Sequence, residues 1–174
     1  MLSSAHAQKL LPAEDPVFSA SFYAPYEAAA SAGVHLLSDA REQMPLDVLT
    51  LQYRLKSGES IRGKLLRKHL PLTAAAAAAA LRDIAGLRAV LTTRDAVYRY
   101  AEEILKNRAL ELTDVHDYIA APKRSGYRSL HLIGRIPVLL GEGAYAVPIE
   151  IQLRTAAMDA WACAEHALIY KPRI

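Results

Sequence analysis

The segment from Val147 to Thr155, VPIEIQLRT, constrains the fold of this chain more than any other. Val147, Ile149, Ile151 and Leu153 are apolar, and Glu150, Gln152 and Arg154 alternate with them. Strand side chains have a period of two. The segment therefore reads as a strand that buries one face and carries a carboxylate, an amide and a guanidinium in a row on the other. Such a row is a good floor for a charged ligand. Taken alone, it also fits an amphipathic edge strand with a solvated polar face, and the rest of the chain has to decide.

With 174 residues and 52% hydrophobic content, the chain can build one domain with a real core. The net charge of +3 suits a phosphate-rich small ligand but is too small to indicate nucleic acid. Cys163 is the single cysteine, which excludes an internal disulfide, and it reads as a small buried hydrophobe. No apolar run approaches the roughly 20 residues needed to span a membrane. Residues 1–12 lack the apolar centre of a secretory signal, so a cytoplasmic site of action without membrane association is expected.

Pro12 and Pro16 mark residues 1–20 as loosely ordered. Residues 21–42 read as a helix interrupted near Gly33, and residues 47–56 as a strand with Val48, Thr50, Gln52, Arg54 and Lys56 on one face. A basic helix is expected over 58–70, ended by Pro71. Thr73 can cap the alanine run Ala74–Ala80, which fits a helix or a loose connector. An apolar strand follows at 84–92, then an amphipathic helix at 94–107 with Ala96, Tyr100 and Ile104 on its stripe. Further strands are expected within 109–119 and over 127–140, the latter ending near Pro137, with a turn at Gly141–Gly143. The last helix spans 156–170. It places Asp159, Cys163, His166 and Tyr170 along one side and Met158, Trp161, Glu165 and Leu168 along another, mostly as core. Five strands mixed with four or five helices predict an α+β (mixed α/β) domain with a five-stranded mixed sheet flanked by helices. Residues 1–46 form an N-terminal helical region and 47–174 a single globular unit.

Several clusters could carry chemistry. Arg54 and Lys56 leave their strand together, and Ser60, Lys64 and Arg67 follow at helical spacing; point charges at a helix start can hold a triphosphate, although a solvated basic face has the same look. Gly58 to Lys64 imitates a P-loop, but Leu65 stands where a magnesium-binding hydroxyl is needed. Asp83, at the entrance to an apolar strand, is placed either as a magnesium ligand or as a turn residue. In DYIAAPKRSGYRSLH (117–131), Pro122 and Gly126 bracket a tight loop that presents Lys123, and Tyr127, Ser129 and His131 share a strand face. This group suits phosphates plus a stacked base. His116-Asp117 lacks the further ligands of a metal hydrolase.

The ordered set R-x-K-x3-S-x3-K, DIAGLR, DYIAAPKRSGYRSLH and EIQLRT-x2-MDAWA-x2-EH resembles the RelA/SpoT-type alarmone synthetase domain, and specifically the small single-domain synthetases, from about Leu51 to Lys171. The resemblance implies a nucleotidyltransferase-like mixed sheet. It also implies an Mg2+-dependent transfer of the β,γ-diphosphate of ATP to the 3′-hydroxyl of a purine nucleotide, giving (p)ppGpp from GDP or GTP and releasing AMP. By position it implies that Arg54 and Arg88 sandwich adenine and that Lys56, Ser60, Lys64 and Arg67 hold the ATP phosphates. Asp83 then binds magnesium, and Glu150 is the general base that also touches the metal. Lys123, His131, Gln152 and Arg154 contact the acceptor, Tyr127 underlies its base, and Asp159 lies near the base edge.

Three departures qualify the resemblance. Ser125 stands where the family often has Asn. No hydrolase region precedes the synthetase motifs, so synthesis without degradation is expected. The chain stops at Ile174, where small synthetases usually continue into further helices, and this puts their tetramer in doubt. The rival reading is a toxin or secreted effector of the same fold, delivered into a target cell and neutralised by an immunity or antitoxin protein. It would make (p)ppApp from ADP or ATP, or pyrophosphorylate tRNA 3′ ends.

Overall fold

The computed structural model describes residues 17–169, with side chains to residue 167. Pro12, Pro16, Tyr170 and the Leu168 side chain lie outside the described residues.

The elements are α1 (Ala20–Gln43), β1 (Val48–Leu55), α2 (Gly58–Arg67), α3 (Ala74–Ala80), β2 (Ala85–Leu91), α4 (Arg94–Lys106), β3 (Glu111–Asp117), β4 (Leu130–Leu140), β5 (Gly143–Thr155) and α5 (Ala156–Ile169). The five strands form one sheet in the order β1-β2-β5-β4-β3. Only β2 and β5 run parallel, so the expected mixed sheet is present.

Alternation sorts the two faces. Leu87, Ala89 and Leu91 of β2 and Ile149, Ile151 and Leu153 of β5 are buried under α1 and α4. The Tyr100 hydroxyl of α4 donates to the Leu37 carbonyl of α1, locking the two helices together. The intervening polar residues face the other side. Burial of the apolar set stabilises by about 1.5–3 kcal/mol per large side chain, which fixes the register of both central strands.

Several local expectations are corrected. Helix α1 runs through Gly33 without a break: a Cβ there would meet Leu87 Cδ1 at 2.8 Å, so the glycine lets helix and sheet approach closely. Val48 leaves the predicted polar face. A bulge between Val48 and Thr50 pairs Val48 with Leu91, on the buried side, and pairs Thr50 with Val90. Strand β4 passes Pro137 and continues to Leu140. The β3 ladder ends at Arg135, so Pro137 lies on a free edge where its missing N–H costs nothing. The alanine run is helical, and Thr73 Oγ1 accepts from Ala76 N at 3.2 Å.

Helix α5 is not mainly core. Ala162 is buried, but Trp161, Cys163 and His166 are exposed and Met158, Asp159 and Glu165 only half-buried. Among the described residues the helix meets the sheet chiefly at β5 and β2. Cys163 is therefore not the buried hydrophobe its composition suggested.

Candidate active site

The polar face of the sheet carries its residues in rows set by the ladders. One row reads Arg54, Gly86, Glu150, Ile133. The next reads Gln52, Arg88, Gln152, His131, His116. Seven of the residues singled out from the sequence thus meet through strand pairing or lie one step from it: Arg54, Lys56, Arg88, His131, Glu150, Gln152 and Arg154.

Asp83 sits at the entrance to β2. Lys56 N donates to the Ile84 carbonyl at 2.8 Å, which ties the end of β1 beside it. The ammonium groups of Lys56 and Lys64 lie 3.0 and 2.7 Å from the same Asp83 oxygen, Oδ2. Burial raises the Asp83 pKa, but the two lysines outweigh it and hold the carboxyl below its usual range. Its other oxygen, Oδ1, is buried with no hydrogen-bond partner. Ser57 caps α2, with Oγ accepting from Ser60 N at 3.3 Å, and the segment resembling a P-loop is helix rather than loop. Ser60 and Arg67 are exposed on this helix.

Glu150 accepts from Gln152 Nε2 at 2.6 Å and lies 3.6 Å from His131 Nδ1, an ion-pair distance rather than a hydrogen bond. Burial pushes its pKa up; His131, Gln152 and the charge of Lys64 outweigh that and bring it down to about 2. Gly86, three residues after Asp83, pairs with Glu150, so the β2–β5 ladder brings the entrance of β2 that carries Asp83 next to the strand that carries Glu150.

Four groups form a closed ring beside Glu150. Asp159 Oδ1 lies 3.2 Å from Arg88 NH1 and 2.9 Å from Arg154 NH1. Gln152 Oε1 accepts from Arg154 NH2 at 2.9 Å and from Arg88 NH2 at 3.4 Å. Arg154 NH2 also donates to the Tyr127 hydroxyl at 2.7 Å, and that hydroxyl meets His131 Nε2 at 2.8 Å. The Arg154 side chain is only 5% exposed, and its donors point into the protein. Burial, then the charges of Arg154 and Arg54, lower the Arg88 pKa, while Asp159 opposes them.

The loop before β4 holds its lysine by a turn: Gly126 N donates to the Lys123 carbonyl at 2.8 Å. Gly126 has φ +86, which favours glycine, and Trp161 of α5 packs 3.3 Å from where its Cβ would be. Lys123 Nζ lies over the rings of Tyr118 and Tyr127, 4.4 and 4.9 Å from their centroids. The sequence reading placed Tyr127, Ser129 and His131 on one strand face. In the structure β4 begins only at Leu130, and Ser129 is buried, donating to the Leu153 carbonyl at 3.1 Å.

Tyr118, in the loop motif, has no role that the sequence alone suggests. It packs edge-on to His131 at 5.1 Å and helps to cage Lys123. An aromatic directly after a strand that ends beside a lysine loop was the available signal. Asp117 is a turn residue, accepting from Ile119 N and Ala120 N at 2.9 Å, so His116-Asp117 is not a metal pair. Among the described residues, no group of three or more His, Cys, Asp or Glu could hold a metal ion unaided.

The chain and its fold are similar to several known proteins. The pattern described as a region found in RelA/SpoT proteins matches residues 53–174. The chain is 42% identical over 118 residues to the GTP pyrophosphokinase YwaC of Bacillus subtilis, covering 68% of this chain and 56% of that protein. It is 38% identical over 130 residues to the GTP pyrophosphokinase YjbM of the same organism, covering 75% and 59%. The chain thus spans a little over half the length of these curated relatives. Among solved structures, it is similar to small alarmone synthetase 1 of B. subtilis bound to its product pppGpp, with TM-score 0.79 and 33% identity over 88% of this chain and 81% of that one. A GTP pyrophosphokinase family protein from Streptococcus pneumoniae gives TM-score 0.80 and 34% identity over 86% and 75%.

Proposed function

The chain belongs to the RelA/SpoT family, and from that premise we propose that it is an ATP-dependent pyrophosphokinase acting on GDP or GTP, with residues 47–174 as its catalytic unit. The single observation that carries the reading is Asp83, clamped by Lys56 and Lys64 at the entrance to β2, with Glu150 on the adjoining strand β5 opposite Gly86. Two acids between cationic walls suit a reaction that brings two polyanions together, and binding alone does not need them.

In this reading Arg54 and Arg88 flank the adenine of ATP, and Lys56, Ser60, Lys64 and Arg67 take its phosphates. Tyr127 underlies the acceptor base, with Lys123 and His131 on the acceptor phosphates. The 3′-oxygen of the acceptor forms a bond to Pβ, the bond from Pβ to the bridging oxygen of Pα breaks, and AMP leaves. Glu150 takes the hydroxyl proton. Phosphoryl transfer depends mainly on positioning and charge neutralisation; Glu150 stands on strand β5, and Asp83 is held at the entrance to β2 by its two lysines. A carboxylate with a pKa near 2 is a weak base. His131 is the main group that lowers it, ahead of Gln152 and Lys64, so acceptor phosphates that draw His131 and Lys64 toward themselves would raise it.

Magnesium fits the site. Asp83 Oδ1 is buried without a partner, and Mg2+ takes one or two carboxylates with substrate phosphates completing its shell. Asp83 and Glu150 would hold it, and it would offset charge on the transferred diphosphate. No described helix is long and apolar enough to cross a membrane, which is compatible with action on free nucleotides.

The test is incubation with γ-labelled ATP and, separately, GDP, GTP, ADP and deacylated tRNA. Labelled pentaphosphate or tetraphosphate from GTP or GDP is expected. Product only from ADP, ATP or tRNA would replace the guanine reading with the toxin-type one.

A further inference from the structure

Arg88, Asp159, Arg154 and Gln152 form a closed ring of contacts on the polar side of the sheet. Two guanidinium groups share one wall, each with a buried Nε that lacks a partner. Two oxygen atoms, Asp159 Oδ1 and Gln152 Oε1, each meet both arginines and so tie them together, while the Tyr127 hydroxyl holds Arg154 alone. Using Gln152 Oε1 this way fixes which end of the amide points where. Its Nε2 is left facing Glu150, to which it donates at 2.6 Å. Asp159 is thus joined to the proposed base through Arg154 and Gln152.

We propose that Asp159 is a positioning residue: by holding Arg88 and Arg154 side by side it sets the orientation of Gln152 and, through it, the aim of the Glu150 carboxylate. The inference rests on the pyrophosphokinase reading and departs from the role the family resemblance implied for Asp159, at the edge of the acceptor base. Oδ1 is taken up by two cations, and what the ring requires of residue 159 is one acceptor oxygen, not a particular pattern toward a base.

That requirement separates the two roles. Asparagine keeps an acceptor oxygen at the same place but not the charge between the two guanidinium groups, so D159N keeps the ring's hydrogen bonds at a lower melting point, whereas D159A opens it. A residue reading the base behaves otherwise, because an amide brings a donor where the carboxylate had none, and base preference would change. The experiment measures kcat and acceptor KM for GDP and ADP with wild type, D159A and D159N, with thermal melts alongside. For D159A, kcat should fall at least about tenfold while acceptor KM moves less than about threefold. D159N should recover kcat to within about threefold, with the GDP-to-ADP preference unchanged.

A D159A enzyme with wild-type kcat overturns the inference. So does a D159N enzyme whose defect lies in acceptor KM or base preference. If D159A melts too low to assay, D159N alone decides by the same two readouts. A wild-type chain that makes no product from any acceptor would sink the pyrophosphokinase reading itself, an outcome seen before any variant is compared.

Discussion

Replacing Asp83 by asparagine should separate phosphate binding from transfer. The Lys56 and Lys64 ammonium groups lie 3.0 and 2.7 Å from one Asp83 oxygen, so they are within about 6 Å of each other. At an effective dielectric of about 20, two unit charges at that range repel by about 3 kcal/mol. The carboxylate offsets this in the native protein. The two lysine side chains are 14% and 30% exposed, so part of the strain can be relieved by swinging toward water, leaving about 2 kcal/mol. For a domain of this size that corresponds to a melting point lower by about 4–8 °C. A triphosphate supplies the missing negative charge. In magnesium-free buffer D83N should therefore bind a methylene analogue of ATP at least as tightly as wild type, and the analogue should raise its melting point by more than it raises the wild type's. With magnesium, turnover should fall at least about a hundredfold. An unchanged melting point together with weaker analogue binding in EDTA would refute the electrostatic argument. Retained turnover would refute the role given to Asp83.

Glu150→Gln should abolish diphosphate transfer while leaving ATP binding, measured by calorimetry, within about threefold of wild type; full product formation would remove the assignment of the base. Metal-free stability should rise with pH between about 2 and 4.5. The Glu150 pKa is about 2 in the fold against the usual 4.5, and that of Asp83 is also depressed. The folded state therefore binds fewer protons, and the stabilisation is lost as pH falls through the folded values. Melts from pH 2.5 to 5 test this, and E150Q should flatten the slope. Gly134→Ala should destabilise by about 1–3 kcal/mol, read by urea unfolding, because its Cβ would lie 2.6 Å from Leu110 Cδ1 and 2.7 Å from the Glu111 carbonyl oxygen.

The parts of the fold legible in the sequence are those governed by a simple period. The β5 alternation from Val147 to Arg154 reads correctly because one face packs under α1 and α4 and the other is polar. The Thr73 cap and the turn at Lys123 and Gly126 are local chemistry, visible as residue types at fixed offsets. What was missed depends on partners distant in the chain. The Val48 bulge is set by its pairing with Leu91, and the unbroken helix at Gly33 by Leu87. Strand β4 survives Pro137 because β3 ends earlier. In the site, spacing suggested which residues face the ligand side but not what they hold. Arg154 is buried in the ring, and Asp159 meets Arg88 across a strand–helix junction that no short-range pattern encodes.

The parallel ladder between β2 and β5 runs without a shift from Ala85 opposite Ile149 to Leu91 opposite Thr155. Each strand delivers its functional side chains at every second residue, and the two sets advance in step. Adding or losing one codon inside either strand would keep nearly every residue and still send all those beyond it to the opposite side, guanidinium groups inward and leucines outward. Changes of length in this protein can therefore collect in its connecting loops, while its two central strands can vary only by substitution.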